Sequence, residues 1–274
     1  MEIKAFKMDG LGNDFIIIDQ RKEKIILSKD QIIKICNRKF IGCDQLIFVK
    51  ENTEIDAELE FYNSDGSKSD ACGNGTRCVA HLLSKENDKN EINLIVASQI
   101  LKSKIFENNI VETSIGSPRM NWNEIPLSKE SDTKNLKIKL VDNENKEFYG
   151  GIAVNVGNPH VIFFIENIDK FNLEKIGPEI ENHELFPEKC NVTLAKKISP
   201  SLIKVKVWER GAGLTKACGT AACATAVAAN LENLSNSKTE IEFGMGKLLV
   251  SIDENHNIKM MGPVSEIKEI KINI

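Results

Sequence analysis

Asp70-Ala71-Cys72-Gly73-Asn74-Gly75-Thr76 and Lys216-Ala217-Cys218-Gly219-Thr220-Ala221-Ala222 each set a cysteine ahead of a glycine turn and an apolar, helix-like run. A thiol at a helix start lies where oriented backbone N–H groups and the helix dipole favour negative charge, and hence its thiolate. One such thiol reads as a nucleophile or base. Two in matching contexts read as an acid and a base serving one carbon.

The matching extends beyond the cysteines. Gly12-Asn13 returns as Gly157-Asn158, Cys72-Gly73 as Cys218-Gly219, and Gly116 before Ser117-Pro118 as Gly262 before Pro263, each about 145 residues on, a period far too long for a solenoid repeat. Three landmarks in order at near-constant spacing predict two similar domains of ordinary size. The polar stretch Asn121 to Asn135 reads as their connection. The expected division is 1–118, rejoined by the final run 264–274, and 119–263.

A net charge of −4 over 274 residues leaves no basic footprint, so nucleic acid is not an expected partner. No apolar run approaches the roughly 20 residues that span a bilayer, and Met1-Glu2-Ile3-Lys4 lacks the form of a signal peptide. The chain therefore reads as soluble and cytoplasmic, with no membrane partner. Its seven cysteines are an odd number without an export signal, so reduced thiols are expected. Cys72/Cys78 and Cys218/Cys223 are poorly spaced for structural zinc, and no metal is expected. Cys78 and Cys223 read as small apolar fillers on buried helix faces, and Cys36 as core in a helix opened by the capping-box pattern Ser28-Lys29-Asp30-Gln31.

Alternation and turn residues predict strands at Ile3 to Lys7, Phe15 to Ile18, Leu46 to Val49, Ala57 to Tyr62, Ile92 to Ala97, Ile100 to Phe106 and Ile110 to Ile115. In the second half they fall at Leu136 to Val141, Ala153 to Val156, Val161 to Ile165, Ile203 to Trp208, Glu240 to Phe243, Leu248 to Ile252 and Ile258 to Met261. Helices are predicted at Lys29 to Asn37, Asn74 to Lys85, Leu173 to Asn182 and Thr220 to Leu231. The expected class is α+β, two pseudo-repeated domains of mostly antiparallel sheet around a helix, with the active site in a cleft between them.

Inverting a tetrahedral carbon that bears an acidic proton requires removal on one face and delivery on the other, and a thiolate with a thiol suits that exchange near neutral pH. The N–H groups after each cysteine can hold a carboxylate. Asn63-Ser64-Asp65-Gly66-Ser67 precedes the first cysteine and Glu209-Arg210-Gly211-Ala212-Gly213 the second. Arg210 can clamp a carboxylate through two bonds and Glu209 can accept from an ammonium. Nothing in the sequence calls for a nicotinamide, a phosphate loop or a metal, and no cofactor is expected.

Together, Gly12-Asn13-Asp14-Phe15, Gly42-Cys43-Asp44-Gln45, Asn63-Ser64-Asp65-Gly66-Ser67, Cys72-Gly73-Asn74-Gly75-Thr76-Arg77-Cys78, Gly157-Asn158-Pro159-His160, Phe186-Pro187, Asn191-Val192, Glu209-Arg210-Gly211-Ala212-Gly213 and Ala217-Cys218-Gly219-Thr220 resemble the diaminopimelate epimerase family, in order from residue 6 to residue 263. The resemblance implies cofactor-independent interconversion of LL- and meso-diaminopimelate, on the route to lysine and peptidoglycan, with Cys72 and Cys218 as the two bases. It implies that Asn13, Gln45, Asn63, Asn158, Asn191, Glu209 and Arg210, with the backbone of Gly73, Asn74, Gly219 and Thr220, hold the substrate. It further implies that His160 and Glu209 adjust the thiols and that the protein is a homodimer. Leu214, Ala221 and Gly244-Met245-Gly246 depart from the family pattern, which puts fine geometry rather than reaction type in question. The rivals are a proline or hydroxyproline racemase of similar fold and, from another class, a thiol redox or metal-binding module.

Overall fold

The computed structural model describes residues 2–69 and 72–274. Met1 and the Asp70-Ala71 that lead into the first cysteine motif lie outside the described residues. The chain divides into two compact units, Met1–Ser114 with Met261–Ile274, and Ile115–Met260.

The first begins β1 (Glu2–Gly10), β2 (Asn13–Asp19), α1 (Lys29–Cys36), β3 (Gln45–Lys50), β4 (Ala57–Asn63), β5 (Lys68–Ser69) and α2 (Gly73–Asn87). It continues with β6 (Glu91–Val96), β7 (Gln99–Ile105) and β8 (Ile110–Gly116). Strand pairs β1·β2, β3·β4, β4·β5, β6·β7 and β7·β8 are antiparallel, while β2·β3 and β4·β6 are parallel.

After the hairpin of β9 (Ile138–Val141) and β10 (Glu147–Gly150), the second unit repeats that plan. It runs β11 (Ile152–Asn155), β12 (Pro159–Phe164), α3 (Leu173–Glu181), β13 (Asn191–Ser199), β14 (Leu202–Glu209), β15 (Gly213–Thr215), α4 (Gly219–Leu231), β16 (Lys238–Phe243), β17 (Gly246–Ile252) and β18 (Ile258–Pro263). The parallel pairs recur in the matching places, β12·β13 and β14·β16. Thus the repeat read from three short motifs is a repeat of strand order and direction. The last strand, β19 (Lys268–Asn273), lies antiparallel on β1.

Each unit is built around its second helix. α4 is rich in alanine, with no polar face, and buried through most of its length, as such a helix must be. Its short side chains let β11, β12, β13, β16 and β17 all pack on it. α2 takes the same place among β1, β2, β6 and β7. Phe15-Ile16-Ile17-Ile18 shows why the first sheet is apolar on both faces: Phe15 and Ile17 join the core with Val79 and Leu83 of α2, whereas Ile16 and Ile18 join that of Ile32 and Ile35 of α1. The capping box of α1 is present, with Ser28 Oγ accepting from the Gln31 N–H and Gln31 Oε1 accepting from the Ser28 N–H. Cys36 closes that helix with its Sγ 3.4 Å from the Sγ of Cys43, and no disulfide joins any of the seven cysteines. Among the described residues, no helix is long and apolar enough to cross a membrane.

Five strands among the described residues escape the sequence reading: β5, β10, β13, β15 and β19. β13 matters most, because Asn191 stands at its head. Its apolar half is short and Lys196-Lys197 breaks the alternation, yet Val192 to Ala195 are buried between a parallel and an antiparallel neighbour.

Gly75 allows the closest approach. A Cβ there would lie 2.8 Å from both Ile47 Cδ1 and Phe61 Cε1 and 3.2 Å from Phe15 Cε1. Overpacking of that kind costs about 1–3 kcal/mol, more than the helix gain of up to about 1 kcal/mol from alanine. We expect Gly75→Ala to lower stability in urea denaturation, and an unchanged or raised midpoint contradicts this packing.

Candidate functional site

Cys72 and Cys218 occupy the N-cap positions of α2 and α4 with nearly the same backbone, φ −143°, ψ 110° and φ −136°, ψ 116°. Their carbonyls accept the first helical bonds, from Thr76 N–H at 2.9 Å and Ala222 N–H at 3.0 Å. Helix geometry leaves the earlier N–H groups, those of Gly73 and Asn74 and of Gly219 and Thr220, without an intrahelical acceptor. Each thiol therefore stands beside an anion-binding helix start.

In the first unit three adjacent strands bring the amides together. Gln45 lies opposite both Phe15 of β2 and Asn63 of β4, which sets Asn13, Gln45 and Asn63 near one strand edge. Gln45 Nε2 donates to Asn63 Oδ1 (2.9 Å), and Asn63 Nδ2 donates to Ser67 Oγ (3.1 Å). The Cys72 thiol points at Asn13 Oδ1, 3.5 Å away, which also accepts from Asn74 Nδ2 at 3.3 Å. Asn74 is buried, and its own Oδ1 is held by the fully buried Arg77 at 3.0 Å. Asn13 is held from behind, since Asp44 Oδ2 accepts from Asn13 Nδ2 and from the Asp14 N–H, both at 3.0 Å. Arg38 forks onto Asp14 and reaches Asp44. Asp14 and Asp44 stand within the motifs at residues 12–15 and 42–45, and only the fold shows them supporting Asn13.

The second unit presents the corresponding edge with different chemistry. His160 of β12 pairs with Asn191 of β13 in register. His160 Nε2 is 2.9 Å from Asn158 Oδ1 and 3.5 Å from Asn191 Nδ2. Donation to the Asn158 oxygen assigns the proton to Nε2. Asn191 Nδ2 donates to the Pro159 carbonyl at 3.0 Å, and its Oδ1 accepts the Arg210 N–H at 2.9 Å. The Arg210 guanidinium donates to the Glu188 carbonyl at 2.9 Å. Cys218 Sγ lies 3.4 Å from Thr220 Oγ1, with Glu209 beside it.

Burial decides the resting state of Cys218. Its thiol is pushed well above the ordinary value by burial and by the Glu209 carboxylate, against the weaker pull of the Thr220 hydroxyl and the Ala221 N–H. The helix start alone favoured a thiolate; desolvation of a buried anion is the larger effect. Cys78 and Cys190 are likewise raised by burial, which fits packing rather than reactivity. Among the described residues, no three His, Cys, Asp or Glu side chains gather in a way that could hold a metal ion. Of the family departures, Leu214 and Met245 are about half exposed, and Ala221 is buried.

The model of the family described as diaminopimelate epimerase matches residues 5–121 and 152–267. The chain is 68% identical over 274 residues to the diaminopimelate epimerase of Pelagibacter ubique strain HTCC1062, covering 100% of both. It is 37% identical over 264 residues to that of Acidiphilium cryptum strain JF-5, covering 96% of this chain and 94% of the relative. Among solved structures, a Bacillus anthracis phenazine biosynthesis protein of the PhzF family matches with TM-score 0.69 at 16% identity, over 100% of both chains. A hydroxyproline epimerase from Agrobacterium vitis matches with TM-score 0.69 at 10% identity, over 98% of this chain and 91% of the other. These two likenesses concern the fold alone.

His160 gives the second unit a pH-dependent stability. It is fully buried, and burial followed by the Arg210 charge holds its pKa down at about 3. The unfolded imidazole titrates near 6.5, so below that pH the unfolded chain binds the extra proton. The contribution of the neutral ring is complete above pH 6.5 and is lost as pH falls toward 3, by about 1.4 kcal/mol per unit. In urea denaturation between pH 7 and pH 5, the native chain should lose about 2 kcal/mol more than His160→Gln. Equal losses in the two chains contradict the assignment.

Proposed function

The chain belongs to the diaminopimelate epimerase family, and on that premise we propose that it interconverts LL- and meso-diaminopimelate with Cys72 and Cys218 as the acid–base pair. The observation that carries this reading is the pair of sulfurs at helix starts with almost superimposable backbone angles. One thiolate takes the α-proton from one face of the carbon, the bonding pair remains on the carbon, and the other thiol delivers its proton to the opposite face. The roles exchange in the reverse direction. Cys218, which burial keeps protonated, begins as the acid in the direction that starts from the resting state.

The α-carboxylate must take up charge while the proton is in transit. N–H groups of Gly73 and Asn74 and of Gly219 and Thr220 are oriented to hold it without reorganisation. Asn13, Gln45, Asn63, Asn158 and Asn191 supply neutral donors and acceptors for the amino-acid groups. Glu209 suits an ammonium and Arg210 a carboxylate. His160, through its bond to Asn158, and Glu209, beside Cys218, tune the site. Proton transfer between two sulfurs involves no net electron transfer and therefore calls for no redox group. The reading also carries a cytoplasmic homodimer, placed on the route to lysine and peptidoglycan.

The test is exchange of the α-proton with solvent deuterium, using LL- and meso-diaminopimelate and no added cofactor. Exchange with both stereoisomers is expected from the native chain. Cys72→Ala and Cys218→Ala should each lose at least about 100-fold in epimerisation, while Cys78→Ala and Cys223→Ala, buried packing changes, should retain exchange. Full activity in either of the first pair, or activity on hydroxyproline with none on diaminopimelate, overturns the reading.

A further inference from the structure

Glu181 is the last residue of α3 and looks in sequence like an ordinary polar helix end, Gly177-Pro178-Glu179-Ile180-Glu181. In the fold it is 6% exposed. Its two carboxylate oxygens are divided between two donors: Oε2 accepts from Trp208 Nε1 at 2.7 Å, and Oε1 accepts from the Gly211 N–H at 3.1 Å. Those donors flank Glu209 and Arg210 on either side. The Lys189 ammonium lies 3.9 Å away and balances part of the charge.

The same helix face makes room for the indole. A Cβ on Gly177 would lie 2.6 Å from both Cγ and Cδ2 of Trp208, so only glycine lets the ring lie against α3 there. Gly177 and Glu181 are four apart and share one helix face, where neighbours at that spacing meet. Ring and carboxylate thus form one slot that fixes β14 just before Glu209. Beyond it, the chain turns through Gly211 at φ +73° and Gly213 at φ +87°, with the Ala212 N–H on the Glu209 carbonyl. Asn191 adds the pin on the Arg210 N–H.

Burying a carboxylate is unfavourable unless its oxygens are bonded, and apolar replacements often serve stability as well or better. The geometry of two oxygens on two donors is what an apolar side chain cannot supply. We infer that Glu181 is a positioning residue which, through Trp208 and Gly211, sets the placement of Glu209 beside Cys218 and of Arg210 toward substrate. This rests on the proposed roles of Glu209, Arg210 and Cys218.

Glu181→Gln tests it, because an amide has one acceptor and must turn its NH2 toward one of the two donors. The expected result is a fall in kcat/KM on diaminopimelate of roughly 10- to 100-fold, the scale that follows displacement of a site by about 1 Å. Cys218 alkylation by iodoacetamide, read by mass spectrometry with Cys72 in the same chain as reference, should shift to lower pH as Glu209 moves off. Adding Trp208→Phe removes one donor, leaving the amide oxygen for Gly211, and should restore part of the lost kcat/KM. If Glu181→Gln does not fold, Trp208→Phe alone must still shift the Cys218 profile. Glu181→Gln with kcat/KM within about twofold of native, or with altered melting but an unchanged Cys218 profile, overturns the inference. A native chain without epimerase activity defeats the functional reading instead, and the alkylation comparison still decides the role of Glu181.

Discussion

A helix cannot satisfy the N–H groups of its own first turn, and both units of this chain place that turn at a polar strand edge while burying much of the remaining helix. The two features depend on each other. Burial among apolar strands holds α2 and α4 where tertiary packing, rather than propensity, sets the start of the first turn. The N-cap residue then has a fixed backbone and, next to it, donors that the helix itself does not use. A cysteine is a weak helix cap, and neither Cys72 nor Cys218 makes a well-formed side-chain cap bond. The sulfur is left to other chemistry because the surrounding core, and not the cap, supplies the stability.

Around that shared frame the two halves support their edges by different means. The first adds charge at the surface to the buried Arg77–Asn74 bond, with Arg38, 58% exposed in its side chain, tying together Asp14 and Asp44 behind Asn13. Exposed pairs of this kind add little to stability, so their value lies in orienting Asn13. The second relies on buried groups: neutral His160 between Asn158 and Asn191, and Glu181 behind Glu209 and Arg210. Buried networks hold geometry more firmly, and removal of one member leaves the others without partners.

Motif spacing carried the duplication because glycine and cysteine positions are set by local backbone demands that survive in one sequence. The helices at both cysteines were legible for the same reason, and so was the capping box of α1, where Ser28 and Gln31 act on their own neighbours. What could not be read depends on partners distant in the chain. β13 is apolar for only half its length, and its place is fixed by the strands beside it. Glu181 lies 27 residues before the indole it holds, and no local pattern separates it from Glu179 two residues earlier. The acidity of Cys218 depends on distant partners in the same way, since the helix start is visible in sequence whereas burial and the nearby Glu209 carboxylate are not.

That last difference bears on how a duplicated scaffold can serve an asymmetric reaction. The proposed exchange needs one sulfur charged and one protonated, but two identical settings would give two equal acidities. The backbone at the cysteines is nearly the same, so the distinction comes from burial and from neighbouring side chains: Cys72 is half-buried and Cys218 buried. Cys72 faces the neutral amide oxygen of Asn13, and Cys218 faces the carboxylate of Glu209. An amide oxygen accepts a thiol proton without adding negative charge, whereas a carboxylate opposes a second anion next to it. Burial first and the Glu209 carboxylate second hold the proton on Cys218, which gives the proposed exchange a direction while the helix starts remain alike.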